Sequence, residues 1–210
     1  MTIINNGIYA ITDCINLDEQ TLLERSELIL RHGISLFQYR NKNQTSNLNL
    51  AKSLQTLCKE FNTPFIINDD VDLAYRIKAD GIHLGKNDCT IEQARERLGA
   101  IIIGKSCYND LDNALSNEQI DYAAFGAFYP SKSKPDAIQA DFALLERATE
   151  TLTIPIVAIG GITPNNAKPL LNAGANMLAV ISALFHSEHI QTTMEQFTET
   201  FTNQNKLNHV

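Results

Sequence analysis

GIYAITDCINLDE, residues 7–19, is the stretch that decides the fold. Its first half reads as a buried strand, with β-branched and aromatic residues, and its second half as a turn into a helix. A doubly wound open sheet would place a glycine-rich turn directly after such a first strand, to let a phosphate approach the backbone. Here no glycine lies between Asp13 and Glu19, so the open sheet loses its first signature. The same alternation then recurs to the end of the chain, in ISLFQYR (34–40), PFIIND (64–69), GIHLG (81–85), AIIIGKS (100–106), YAAFGAF (122–128), IPIVAIG (154–160) and NMLAVIS (176–182). Between these runs lie segments with helical spacing. Leu50, Leu54, Leu57, Cys58 and Phe61 follow one, as do Ile190, Met194, Phe197 and Phe201, while Leu22, Leu23, Ile29 and Leu30 precede a His32-Gly33 stop. Eight strands alternating with helices predict a parallel α/β fold, and eight is the number that closes a (β/α)8 TIM barrel. The expectation is one barrel domain over residues 1–210, with a short polar C-terminal tail from about 202.

Composition narrows the function. The chain has 210 residues, 44% apolar and 20% charged, as a globular domain with a substantial core requires. Lys and Arg number 17 against 24 Asp and Glu, a formal charge of −7, which argues against a general binder of nucleic acid or anionic membrane. A local basic pocket for a phosphorylated small molecule is compatible with that balance. MTIINNGIYAITD at the start has no basic residue before its apolar run, and no segment is long enough to span a bilayer. Cys14, Cys58, Cys89 and Cys107 form no C-x-x-C pair, so reduced thiols and a cytoplasmic location are expected.

Polar residues gather where strands end. They are Asp13; Gln38 and Arg40; Asn68, Asp69 and Asp70; Gly85 to Asp88; Lys105 and Ser106; the SKSKP loop; Gly160 and Gly161; and Ser182. Barrel enzymes build their sites at that end. AIGGITPNNA (158–167) offers two glycines, Thr163 as cap and Pro164 as first helical residue, the pattern of a phosphate site, although a tight turn alone would also use the glycines. Asp69 and Asp88 leave adjacent strands and suit Mg2+, which takes one or two carboxylates plus phosphate oxygens and water. Arg40, Lys42 and Lys134 would complete a place for a magnesium-bound pyrophosphate. Taken singly, each acid also has a role as a helix cap.

With these residues in view, the chain resembles thiamine phosphate synthase along nearly its whole length. The matching blocks include YAITD (9–13), FQYRNK (37–42), IINDDVDLA (66–74), ADGIHLGKND (79–88), IIGKSCYND (102–110), DYAAFGAFYPSKSKPDA (121–137), IPIVAIGGITPNNAKPLLNAGAN (154–176) and AVISALF (179–185). The resemblance implies a (β/α)8 barrel that joins hydroxymethylpyrimidine pyrophosphate to a (carboxy)thiazole phosphate, giving thiamine phosphate and pyrophosphate. It implies that Gln38, Arg40 and Lys42 meet the pyrimidine pyrophosphate, that Asn68 and Lys134 add pyrophosphate contacts, and that Asp69 and Asp88 hold Mg2+. Ser106 would lie beside the pyrimidine, Ser131 and Ser133 near the thiazole phosphate, and Gly161, Ile181 and Ser182 would complete that pocket. Arg40, Lys42, Lys134 and Ser106 would carry the catalytic roles. Departure of pyrophosphate to leave a pyrimidine methyl cation needs charge neutralisation and ring alignment rather than a nucleophile.

Some positions depart from the family pattern. Tyr39 stands where Leu is usual, Lys86-Asn87 replace Gln-Glu, Ser131 and Ser133 replace threonines, and Asp70 stands where Arg is frequent. His83 reads as structural because it lies within a strand. The rivals are a thiazole tautomerase, whose acid–base His would fall where Tyr108 stands, and a non-catalytic barrel that senses a phosphorylated ligand. The expected partners are small-molecule substrates, not nucleic acid or membrane, and the sequence leaves a homo-oligomer open.

Overall fold

The computed structural model describes residues 4–41, 47–116, 119–130 and 138–207, excepting the side chains of 204–207. Eight parallel strands hydrogen-bond in sequence order and close on themselves. They are β1 Gly7–Ile11, β2 Leu36–Tyr39, β3 Phe65–Asn68, β4 Gly81–Leu84, β5 Ile102–Tyr108, β6 Tyr122–Phe125, β7 Ile156–Ile159 and β8 Met177–Val180. The β1–β8 pairing seals the barrel through Gly7↔Met177 to Ala10↔Val180. Each strand read from the sequence is present, trimmed at its ends except β5, which runs on to Tyr108. The helices are α1 Glu19–Leu30, α2 Leu48–Glu60, α3 Val71–Ile77, α4 Ile91–Leu98, α5 Leu111–Leu115, α6 Phe142–Thr151, α7 Pro164–Asn172, the four-residue α8 Ser182–Phe185, and α9 Ile190–Leu207. Helix α9 continues through Leu207, past the position near 202 where the sequence suggested a tail.

The helices begin where local chemistry dictates. Asp18, Asn47, Asp70, Asp110 and Asp141 each cap a helix with a carboxylate or amide oxygen that accepts a backbone N–H, and Thr90 forms a capping box with Gln93. The apolar stripes expected for α2 and α9 face the strands: Leu50, Leu54, Cys58, Ile190, Met194 and Phe197 are buried in the core between barrel and helices.

A second, smaller core fills the barrel itself. Because side chains alternate along a strand, Tyr9, Leu36, Ile66, Ile102, Tyr122, Val157 and Met177 all point inward. Glycines make room for the largest of them. A methyl group on Gly104 would sit 1.9 Å from the Tyr122 ring, so β5 must lack a side chain where that ring crosses.

The lower rim is held by a repeated clasp. Asp80, Asp121 and Asn176, each preceding an even-numbered strand, accept the backbone N–H of Phe65, Ile103 and Ile156 at 2.8–2.9 Å. Each also donates its own N–H to the carbonyl of that same residue. Strand ends that would otherwise leave donors without partners are thereby satisfied in both directions. Strand beginnings look bland in the sequence, but they carry this framework.

Candidate active site at the upper rim

The strand β2 register sets the first group. Gln38 pairs with Ile66 and is buried inside the barrel, while Arg40 follows it at the rim. Thr12, buried at the end of β1, fixes Arg40 twice: its hydroxyl accepts the Arg40 N–H at 2.8 Å and donates to the Arg40 carbonyl at 3.3 Å. Burial holds the guanidinium's pKa below its ordinary value, an effect that the nearby charges of Asp69 and Asp13 only partly offset. The cation is therefore held beside carboxylates that leave other strands.

The Asn68-Asp69-Asp70 corner divides its labour. Asn68 ends β3 opposite His83. Asp70 accepts the Leu73 N–H at 2.8 Å and caps α3, the structural task expected for one acid of the pair. Asp69 lies between them in the left-handed region, with φ 64°, and donates its N–H to the His83 carbonyl at 2.9 Å. Asp tolerates that conformation better than most residues, but it remains an uncommon one, of the kind that clusters at functional sites.

On β4 the chain turns at Gly85, whose N–H donates to the Asp88 carboxylate. Thr90, not Asp88, caps α4, so Asp88 is not the cap of that helix. Lys105 reaches from β5 to donate to the Gly85 carbonyl at 2.9 Å. A methyl group on Gly85 would lie 3.0 Å from the Asp88 carboxylate and 3.7 Å from the Tyr108 hydroxyl, so those two side chains flank the same corner. Tyr108, with φ 54°, follows a register shift in β5 and is partly exposed.

Two carboxylates of hard-oxygen character at adjacent strand ends fit Mg2+, because that ion keeps several positions for water and phosphate. Among the described residues no group of three or more His, Cys, Asp or Glu side chains forms a cage.

At the opposite side of the rim, Gly160 and Gly161 adopt φ 109° and 61° after β7. A methyl group on Gly161 would come within 2.4 Å of the Pro130 carbonyl oxygen, so close passage of the segment after β6 already requires glycine there. Asn166 staples the turn: it accepts the Thr163 N–H at 2.7 Å and donates to the Gly161 carbonyl at 3.0 Å. Thr163 and Pro164 open α7 as expected. Ile181 precedes α8, and Ser182 opens it at the surface. Across the rim, Asp13 accepts from His186 at 2.8 Å. Burial raises the Asp13 pKa, but hydrogen bonds from His186 and Asn16 outweigh it and hold the carboxyl below its ordinary value.

Gln38, Arg40, Asn68, Asp69, Asp88, Ser106, Gly161, Ile181 and Ser182 thus all belong to the upper ends of strands or to the loops that follow them. Lys42, Ser131, Ser133 and Lys134 lie outside the described residues. Sequence reasoning missed Tyr9 and Tyr122, whose hydroxyls meet at 2.6 Å inside the barrel. His83, which reads as structural in the sequence, bridges Tyr122 at 3.0 Å and Ser106 at 2.9 Å.

A family model for thiamine monophosphate synthase matches residues 8–184. The chain belongs to the thiamine monophosphate synthase family. Thiamine-phosphate synthase of Nitrosococcus oceani is 48% identical over 200 residues, 93% of this chain and 92% of that one. Its counterpart in Nitrosomonas eutropha is 47% identical over 202 residues, covering 93% and 94%. Among solved structures, thiamine phosphate pyrophosphorylase from Pyrococcus furiosus superposes with a TM-score of 0.85 at 33% identity, covering 94% of this chain and 96% of that one. Among the described residues no helix is long and apolar enough to cross a membrane.

Proposed function

We infer that the chain is a transferase that condenses hydroxymethylpyrimidine pyrophosphate with a (carboxy)thiazole phosphate, releasing pyrophosphate and forming thiamine phosphate. One observation carries the reading: Arg40, Asn68, Asp69, Asp88 and Ser106 leave four successive strands at one rim of a barrel whose family makes this product. Asp69 and Asp88 would hold Mg2+. When bound, that ion supplies charge neutralisation to the departing pyrophosphate.

The chain's own residues do the remaining work. Arg40, locked by Thr12, holds a positive charge over the leaving group, and Lys42 and Lys134 are assigned to the same task. Asn68 orients a pyrophosphate oxygen. Gln38 and Ser106 set the plane of the pyrimidine so that the thiazole nitrogen approaches the reacting methylene in line. The Gly160-Gly161 turn, with Ile181 and Ser182, receives the thiazole phosphate, and Ser131 and Ser133 are assigned beside it. The tautomerase alternative would need a histidine at the end of β5, where Tyr108 stands.

The test is pyrophosphate release with both substrates, with each alone, and with or without Mg2+. Release requires both substrates and the metal under this reading. Release at the same rate from the pyrimidine substrate alone would overturn it.

A further inference from the structure

The barrel interior contains a connected polar chain that crosses it below the rim. Gln38 Nε2 donates to the Tyr9 hydroxyl at 2.6 Å, and the Tyr9 and Tyr122 hydroxyls meet at 2.6 Å. Tyr122 meets His83 Nδ1 at 3.0 Å, and His83 Nε2 meets Ser106 Oγ at 2.9 Å. Five side chains from β2, β1, β6, β4 and β5 are thereby linked in series. Gln38, Tyr9, Tyr122 and His83 are buried, and Gly104 lacks a side chain where the Tyr122 ring lies, so the ring is fixed in place. His83 stacks nearly parallel to it, with centroids 5.7 Å apart and planes 16° from parallel.

The direction of this chain follows from counting hydrogens. In this structure Gln38 presents its amide nitrogen to Tyr9, so the Tyr9 oxygen is an acceptor and its own hydrogen goes to Tyr122; with the amide oxygen turned to Tyr9 instead, every bond in the series would reverse. With Gln38 so placed, the alternative in which Tyr122 donates to Tyr9 leaves a buried phenolic hydrogen with no acceptor, the costly arrangement inside a protein. Burial raises the pKa of both phenols, so each keeps a hydrogen to pass on. Tyr122, accepting from Tyr9, must then donate to His83 Nδ1. A ring that accepts at Nδ1 is neutral and carries its hydrogen on Nε2, which donates to Ser106.

We propose that this directed relay makes Ser106 a hydrogen-bond donor into the mouth, so that the site selects a heterocycle presenting an acceptor nitrogen to it. Tyr122 and His83 are positioning residues that act through Ser106. No described residue accepts the Ser106 hydrogen, which leaves that donor for ligand. Reversing the relay would make Ser106 an acceptor and would select a ring N–H or amino group instead. The proposal rests on the reading of Ser106 as a pyrimidine contact, but the relay direction is a property of the free protein.

The experiment is a two-bond 1H–15N correlation of the histidine rings in the ligand-free, full-length protein, with His83 assigned by its loss in His83→Gln. The expected ring carries its hydrogen on Nε2. Tyr122→Phe removes the donor to Nδ1 while keeping the aromatic ring, and should abolish that tautomer preference. It should also raise KM for the pyrimidine substrate roughly three- to tenfold, more than it changes kcat, the scale of one hydrogen bond. Tyr9→Phe leaves the Tyr122 hydroxyl and should retain the tautomer, with a smaller rise in KM. An Nδ1–H ring in the unaltered protein, or a ring unmoved by Tyr122→Phe, would overturn the proposal whatever the pocket binds.

Discussion

The two rims of the barrel hold their acidic residues in different settings. At the lower rim Asp80 and Asp121 bond directly to backbone N–H groups of neighbouring strands, with Asn176 doing the same as a neutral analogue. At the upper rim Asp69 sits in a left-handed turn and Asp88 accepts from Gly85, beside a basic group at Lys105 and near Arg40. The lower acids make strand-to-strand bonds that any barrel of this sequence needs. The upper acids are placed against a cation and a shaped corner, at the end where such barrels keep their chemistry. Under the proposed function, the same residue type would serve stability at one end and the metal at the other.

That contrast is breakable by mutation. Asp88→Ala should lower kcat/KM by on the order of a hundredfold or more, the scale of losing a group that organises leaving-group charge, while unfolding stability falls by only about 1 kcal/mol, the cost of releasing the part-exposed Gly85 N–H. Paired turnover and urea titrations read the two effects, and equal losses would erase the distinction. Asp121→Ala should do the reverse. It strands the Ile103 N–H and removes the one carboxylate to which Arg95 donates, at 2.6 Å, among its described partners, so a loss of about 2–3 kcal/mol is expected, with kcat of the folded fraction retained.

The adjacent acids Asp69 and Asp70 sharpen the comparison within one corner. Asp70→Ala removes the α3 cap and should cost about 1 kcal/mol, a fall in Tm of roughly 2–4 °C by calorimetry, with turnover largely kept. The smallest effect belongs to His186→Ala, which frees Asp13 at the rim. Asp13 has a lowered pKa in the folded protein, so its contribution is complete above the ordinary carboxylate value of about 4 and drains away as pH falls through the lower, folded value. The stability gap between parent and variant, under about 1 kcal/mol at neutral pH, should therefore close on acidification.

How much of this was legible in the sequence follows from what each feature depends on. The strands were visible because their β-rich runs are local and separated by capped helices, and the absence of glycine after β1 separated a barrel from an open sheet. Capping alone left Asp69 and Asp70 open; the structure gives the cap to Asp70, whose carboxylate accepts the Leu73 N–H. The Tyr9–Tyr122–His83 chain was not visible. Its members are 113 and 39 residues apart in sequence, and only barrel closure and stagger bring their inward faces to one level. His83 reads as structural from its place within a strand, and its bonds to Tyr122 and Ser106 depend on barrel closure in the same way. The lower clasps escaped notice for a related reason: an Asp before a strand looks like loop polarity until its neighbour's register is known.

The central claim is that Asp69, unlike the acids of the lower rim, is kept for a divalent cation. Asn tolerates the left-handed backbone as Asp does, so Asp69→Asn removes charge while preserving the turn. Pyrophosphate release should be measured against Mg2+ concentration with both substrates present. The account predicts that half-saturation shifts upward by about tenfold or more, the scale of one lost metal ligand, with the urea midpoint unmoved. An unchanged Mg2+ dependence would contradict it.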